Sequence, residues 1–168
     1  MPQNAGKPLA LVLMGSDSDL PVMEGCLAVL KEFGVPFHVE FCSAHRTPER
    51  AAELASGAAS AGFKVIIAAA GMAAHLAGAL AGRTILPIIG VPLAAKDGLD
   101  GMDALLSTVQ MPPGVPVATV AIGKAGAKNA AILAVQILAL DNEELAKKLT
   151  DFKDAQRKKV IEKDASVK

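Results

Sequence analysis

Four short apolar runs constrain this chain more than any other feature: Leu9 to Met14, Val65 to Ala70, Leu86 to Val91 and Val117 to Ile122. The first, LALVLM, is apolar at every position and stops at Gly15. A strand that wets one face alternates apolar and polar residues, whereas an unbroken run belongs to a strand covered on both faces, as in a parallel sheet. Helix-length segments lie between the runs. Pro21 falls at a first helical position, with Asp19 or Leu20 as its cap. Val22, Met23, Cys26, Leu27, Leu30 and Phe33 then recur at helical spacing until Gly34 ends the helix. Phe37, Val39 and Phe41 alternate with His38 and Glu40, which predicts a further strand with a wetter face. Thr47 as N-cap and Pro48 as first residue open an Ala-rich helix that reaches about Ser60 and closes at Gly62. A short helix holding His75 and Leu76 follows, then a long apolar one over Ala125 to Leu140, then one capped by Asn142. Strands alternating with helices predict a three-layer α/β/α sandwich on a five-stranded parallel sheet, flavodoxin-like, with right-handed crossovers.

With 168 residues and no internal repeat or linker, a single domain over 1–168 is expected, extended by the C-terminal helix at about 142–163, with a charged tail that frays after Lys158. An apolar fraction of 52% is too high for disorder and hints at buried subunit interfaces in a chain this short. The 17 basic and 17 acidic residues cancel, and aromatics are 3%, so neither a basic surface nor stacking platforms are present for nucleic acid. The longest apolar stretch, Val65 to Ala74, is too short and Gly-interrupted to cross a membrane. Met1 to Lys7 lacks a signal-peptide pattern, and Cys26 and Cys42 have no redox or metal spacing, so a cytoplasmic protein with reduced thiols is expected.

Ligands of open parallel sheets bind beyond the carboxyl ends of the strands. That rule places three loops on one rim: Gly15 to Asp19, Ser43 to Thr47 and Gly71 to Gly78. The first is neither a Walker loop nor a dinucleotide fingerprint; it is either a Ser/Asp-rich helix cap or an anion site built from hydroxyls and N–H groups. In the second, His45 can exchange a proton near neutral pH, and Arg46 offers a planar fork of donors to phosphate or carboxylate. His45 is otherwise a surface histidine. His75 reads equally well as a structural, hydrogen-bonded histidine or a catalytic one, and His38 as a solvated side chain. Cys42 is either a nucleophile near His45 or a small buried apolar residue. The histidines and acids have no zinc-like spacing. The glycines of the third loop serve tight packing or close approach of a ligand.

Six motifs in order resemble the PurE family of purine biosynthesis. They are Gly15-Ser-Asp-Ser-Asp19, Ser43-Ala-His-Arg-Thr-Pro48, Gly71-Met-Ala-Ala-His-Leu76, Leu86-Pro-Ile-Ile-Gly-Val-Pro92, Ser107-Thr-Val-Gln-Met-Pro112 and Gly114-Val-Pro-Val-Ala-Thr119. The resemblance covers about residues 8 to 140 and is to the class I branch, the N5-carboxyaminoimidazole ribonucleotide mutases. It implies interconversion of N5-carboxyaminoimidazole ribonucleotide and 4-carboxy-5-aminoimidazole ribonucleotide, with no metal and no organic cofactor. It implies that Arg46 and the Ser-rich loop (Ser16, Ser18, with Ser43 and Ala44 alongside) hold the phosphate and Asp19 the ribose. It also implies that His45 shuttles the proton and that Gly71, His75 and Leu76 enclose the base and the migrating carboxylate. A homo-octamer tied partly by the C-terminal helix is implied as well. The class II relatives, which add free CO2, usually carry Lys at the position of Arg46 and lack the Ala-Ala-His pattern of Ala73 to His75; both differences favour the mutase. The mutases usually have Gly and Pro where this chain has Met72 and Ala77, which implies altered loop motion rather than a new reaction. The chemistry expected is loss of CO2 from N5, retention of the CO2 in a small apolar pocket, and attack on it by C4.

Overall fold

The computed structural model describes residues 9–167, so Met1 to Lys7 lie outside the described residues. Five strands form one parallel sheet: β1 (Ala10–Met14), β2 (Phe37–Phe41), β3 (Val65–Gly71), β4 (Ile88–Leu93) and β5 (Ala118–Thr119). Their order is β2-β1-β3-β4-β5, with every neighbouring pair parallel. Six helices connect or extend them: α1 (Leu20–Phe33), α2 (Pro48–Ala61), α3 (Leu76–Ala81), α4 (Met102–Val109), α5 (Gly123–Ala139) and α6 (Glu143–Ala165).

Side-chain alternation along the strands builds two cores. Ala10, Val12 and Met14 of β1, with Val65, Ile67 and Ala69 of β3, pack under α1 and α5, whose Met23, Leu30, Ala130 and Ala134 are fully buried. Leu11, Leu13, Ile66 and Ala68 point the other way, onto Ala51, Ala55 and Ala58 of α2 and Leu76 and Leu80 of α3. Every residue of β1 is buried, as its unbroken apolar run requires. Gly34 and Gly62 end α1 and α2 with φ of 73° and 101°, a conformation glycine adopts without a Cβ penalty.

Several boundaries differ from the sequence reading. β4 begins at Ile88, two residues late, because the Leu86 N–H is taken by the Thr84 hydroxyl at 3.2 Å and Pro87 has no N–H to give. Only Ala118 and Thr119 of the fifth run form a ladder, at the sheet edge; the Val120 N–H makes a last bond to the Gly90 carbonyl at 3.0 Å before the chain turns into α5. His75 is the N-cap of α3 rather than a residue within it. Thr47 and Asp19 hold cap positions, but neither side chain caps its helix. Asn142 does cap α6, its Oδ1 accepting from the Leu145 N–H at 3.0 Å. That helix does not fray after Lys158 but runs to Ala165, exposed throughout its last two turns and more. α4 is an element the sequence reading left unassigned.

Candidate functional site

In this strand order the chain leaves β1 toward one side and β3 toward the other, which opens a crevice at their carboxyl ends. A cleft of about 560 Å³ lies there. Every site residue expected from the sequence lines it: Ser16, Ser18 and Asp19 after β1, Ser43, Ala44, His45 and Arg46 after β2, and Gly71, His75 and Leu76 after β3. Gly15, Ala70, Met72, Ala73 and Ala95 complete the wall.

Local hydrogen bonds fix each loop. After β1 a single 3₁₀ turn, Asp17–Asp19, carries a capping box: the Ser16 hydroxyl accepts from the Ser18 N–H, and the Asp19 carboxylate accepts from the Ser16 N–H at 3.0 Å. Asp19 therefore serves the loop and not α1. Burial pushes its carboxyl above the ordinary 3.8, against the pull of the Ser16 and Gly15 N–H groups. After β2, Thr47 folds back: its Oγ1 accepts from the Ser43 N–H at 2.9 Å and the Arg46 N–H donates to the Ser43 hydroxyl at 3.2 Å. This tight loop sets His45 and Arg46 side by side on the rim.

Two long-range bonds then join the loops. The Arg46 guanidinium donates to the Gly15 carbonyl at 3.0 Å, tying the second loop to the first. His45 Nε2 meets His75 Nδ1 at 2.8 Å, with the rings edge to face at 76°, tying the second to the third. One of the two nitrogens must carry the proton between them, so the histidines work as a hydrogen-bonded pair. The sequence offered both histidines but no sign of this bond across 30 residues. His38 is exposed on the far edge, where it meets Glu40 at 2.9 Å. Cys42 is 2% exposed and burial pushes its thiol above the ordinary 9.0, so it has the character of a small packed residue. Among the described residues no three His, Cys, Asp or Glu side chains cluster as metal ligands would, and no helix is long and apolar enough to cross a membrane.

The cleft thus brings hydroxyl and guanidinium donors, a hydrogen-bonded histidine pair and small apolar side chains together. A family model described as AIR carboxylase matches residues 9–159. The chain belongs to this family, the PurE proteins. Among PurE relatives it is 55% identical over 157 residues to the N5-carboxyaminoimidazole ribonucleotide mutase of Pyrococcus horikoshii, an alignment that covers 94% of this chain and 87% of that protein. It is 53% identical over 161 residues to the phosphoribosylaminoimidazole carboxylase of Candida glabrata, covering 96% of this chain and 28% of that longer protein. The crystal structure of Treponema denticola PurE superposes with a TM-score of 0.86 at 31% identity, covering 96% of this chain and 99% of that one. That PurE match confirms the parallel α/β sandwich as the family fold.

Proposed function

We propose that this protein is an isomerase of purine biosynthesis that moves a carboxyl group from N5 of a carboxyaminoimidazole ribonucleotide to C4. The observation that carries the proposal is the meeting of Arg46, His45 and the β1 loop in one cleft. Over 94% of its length the chain around that cleft is about half identical to proteins named as mutases.

Arg46, Ser16, Ser18 and Ser43 hold the phosphate, since guanidinium and hydroxyl donors match its oxygens. Asp19 accepts from the ribose hydroxyls. Ala44, Gly71, His75 and Leu76 surround the base and the carboxylate. His45 donates a proton to N5 as the N–CO2 bond breaks, and the bonding pair stays on nitrogen. C4 then attacks the retained CO2, a C–C bond forms, and the C4 proton returns to His45. Atoms and electrons balance without oxidant, metal or cofactor. One imidazole acts as acid and then as base, and enclosure raises the effective concentration of CO2.

The functional unit is one domain over 1–168 with the C-terminal helix at about 142–163 as its extension. It works in the cytoplasm as a homo-oligomer, an octamer, on a small ribonucleotide. Assembly is supported by an apolar stripe on α4, where Met102, Leu106 and Val109 lie exposed, and by the uncovered far half of α6. A second chemistry, direct carboxylation of aminoimidazole ribonucleotide by CO2, is favoured by the carboxylase name of the Candida relative. Purified protein is given either N5-carboxyaminoimidazole ribonucleotide, or aminoimidazole ribonucleotide with bicarbonate, and the 4-carboxy product is followed. Fast conversion of the first at low bicarbonate is expected. Product from the second alone would replace the mutase by the carboxylase.

A further inference from the structure

Met72 follows β3 directly and lines the cleft beside His75. Its φ is +54°, in the left-handed region that disfavours a branched or long L side chain and suits glycine. Its side chain is nevertheless 53% exposed, so packing into the core does not hold it there. A long apolar side chain thus occupies a strained backbone position at the mouth of a cleft, a combination that points toward function rather than stability.

The other apolar groups of the wall are short or already committed. Ala44, Ala70, Ala73 and Ala95 reach one carbon from the backbone, and Leu76 is 2% exposed and belongs to the core under α2. Met72 is the one long, flexible apolar side chain on the rim among the described residues of the cleft. The isomerisation has one vulnerable moment, when free CO2 exists between the breaking N–C bond and the forming C–C bond. CO2 carries no net charge for the Arg46 guanidinium to hold, so apolar cover adds to whatever keeps it from water.

We propose that Met72 is a specificity-determining residue that caps the occupied cleft and retains CO2 between the two half-reactions. The proposal rests on the mutase function above. The thioether chain folds over the bound base, and water and CO2 exchange is slowed while the nucleotide itself stays held by its phosphate.

The test follows carbon. Unlabelled N5-carboxyaminoimidazole ribonucleotide is turned over in 13C-bicarbonate with carbonic anhydrase, and the early 4-carboxy product is weighed by mass spectrometry. The parent protein is expected to give product with little label. M72G and M72A are each expected to raise the labelled fraction about tenfold, with the KM for the nucleotide moving by less than about threefold, because cover and not binding is lost. M72L keeps an apolar cap and is expected to stay near the parent. Equal labelling of parent, M72G and M72A overturns the proposal. So does a rise in M72G alone, which would assign the effect to added backbone freedom rather than to the missing side chain. Fully labelled product from the parent would instead overturn the mutase function, and the cap with it. Thermal melts of the variants confirm that the product comes from folded protein.

Discussion

Replacing Arg46 tests the site most directly, because this side chain has two separable jobs. One guanidinium nitrogen is spent on the Gly15 carbonyl at 3.0 Å, and the rest of the fork is left for a ligand. A unit charge 4 Å from a phosphate gains about 1 kcal/mol in bulk water and about 4 kcal/mol at an effective dielectric near 20. Arg46 is exposed at the rim of the cleft, so screening takes a large share and about 2 kcal/mol is the reasonable figure for the bound state. At about 1.4 kcal/mol per tenfold, R46A is expected to raise KM roughly 30-fold. R46K keeps the charge but loses the fork and the tie to Gly15, and is expected to cost about five- to tenfold. Both losses belong in KM, with kcat moving far less, since the phosphate is remote from the reacting atoms. Raising ionic strength should then weaken the parent more than R46A. Steady-state kinetics at two salt concentrations read all of this. A KM within about threefold of the parent for R46A, or a loss confined to kcat, would refute the assignment of Arg46 to the phosphate.

Three further outcomes are expected. H45N lowers kcat by at least about 100-fold with little change in KM, because a proton-transfer group is removed while the binding donors stay; near-normal turnover would end the shuttle assignment. For Glu40, burial alone raises the carboxyl, but hydrogen bonds from Arg50 and His38 outweigh it and hold the group below 4.5. Its contribution to stability is present above that value and lost as pH falls through the lowered folded value. The gap in Tm between parent and E40Q should therefore shrink on acidification from about pH 6 to pH 3, and a constant gap would contradict the ion cluster. A Cβ at Gly126 would run into the Ala121 carbonyl, so G126A should lose more than about 3 kcal/mol in denaturant unfolding; a loss under about 1 kcal/mol would mean that α5 can shift.

What the sequence reveals depends on how local the cause is. β1 and β3 are legible because a short unbroken apolar run that stops at glycine marks a strand covered on both faces, and the helix ends at Gly34 and Gly62 because a left-handed cap is a one-residue signal. The Val117 to Ile122 run looks like β1, yet its place at the sheet edge leaves it two residues of ladder, and edge position is a tertiary fact. α4 escapes notice for a different reason. Its apolar residues Met102, Leu106 and Val109 do recur at helical spacing, but over eight residues, too few turns for the period to stand out, and the helix buries only Ala104 and Thr108. The site loops are legible from topology alone, because strand ends of a parallel sheet are where ligands sit. The His45–His75 bond is not, since nothing in either loop encodes the other.

The composition of β3 explains how one strand serves both the core and the cleft. It reads Val65-Ile66-Ile67-Ala68-Ala69-Ala70-Gly71, large at the amino end and small at the carboxyl end. Val65, Ile66 and Ile67 are fully buried and fill the space between the helix layers. From Ala68 onward the side chains shrink while the backbone ladder to β4 continues through Gly71 paired with Leu93. A Cβ on Gly71 would press on the Leu93 carbonyl at 3.2 Å and Ala95 Cβ at 3.4 Å, so at this end the neighbouring chain has moved in as close as glycine allows. The ladder therefore continues unbroken to the rim, while loss of side-chain volume, not loss of structure, opens the cleft above Ala70. At the wall of this cleft His75 meets His45 through a single hydrogen bond. The Ala-rich character of the chain, which at first reads as bland, is then the means by which a packed three-layer fold makes room for a cleft.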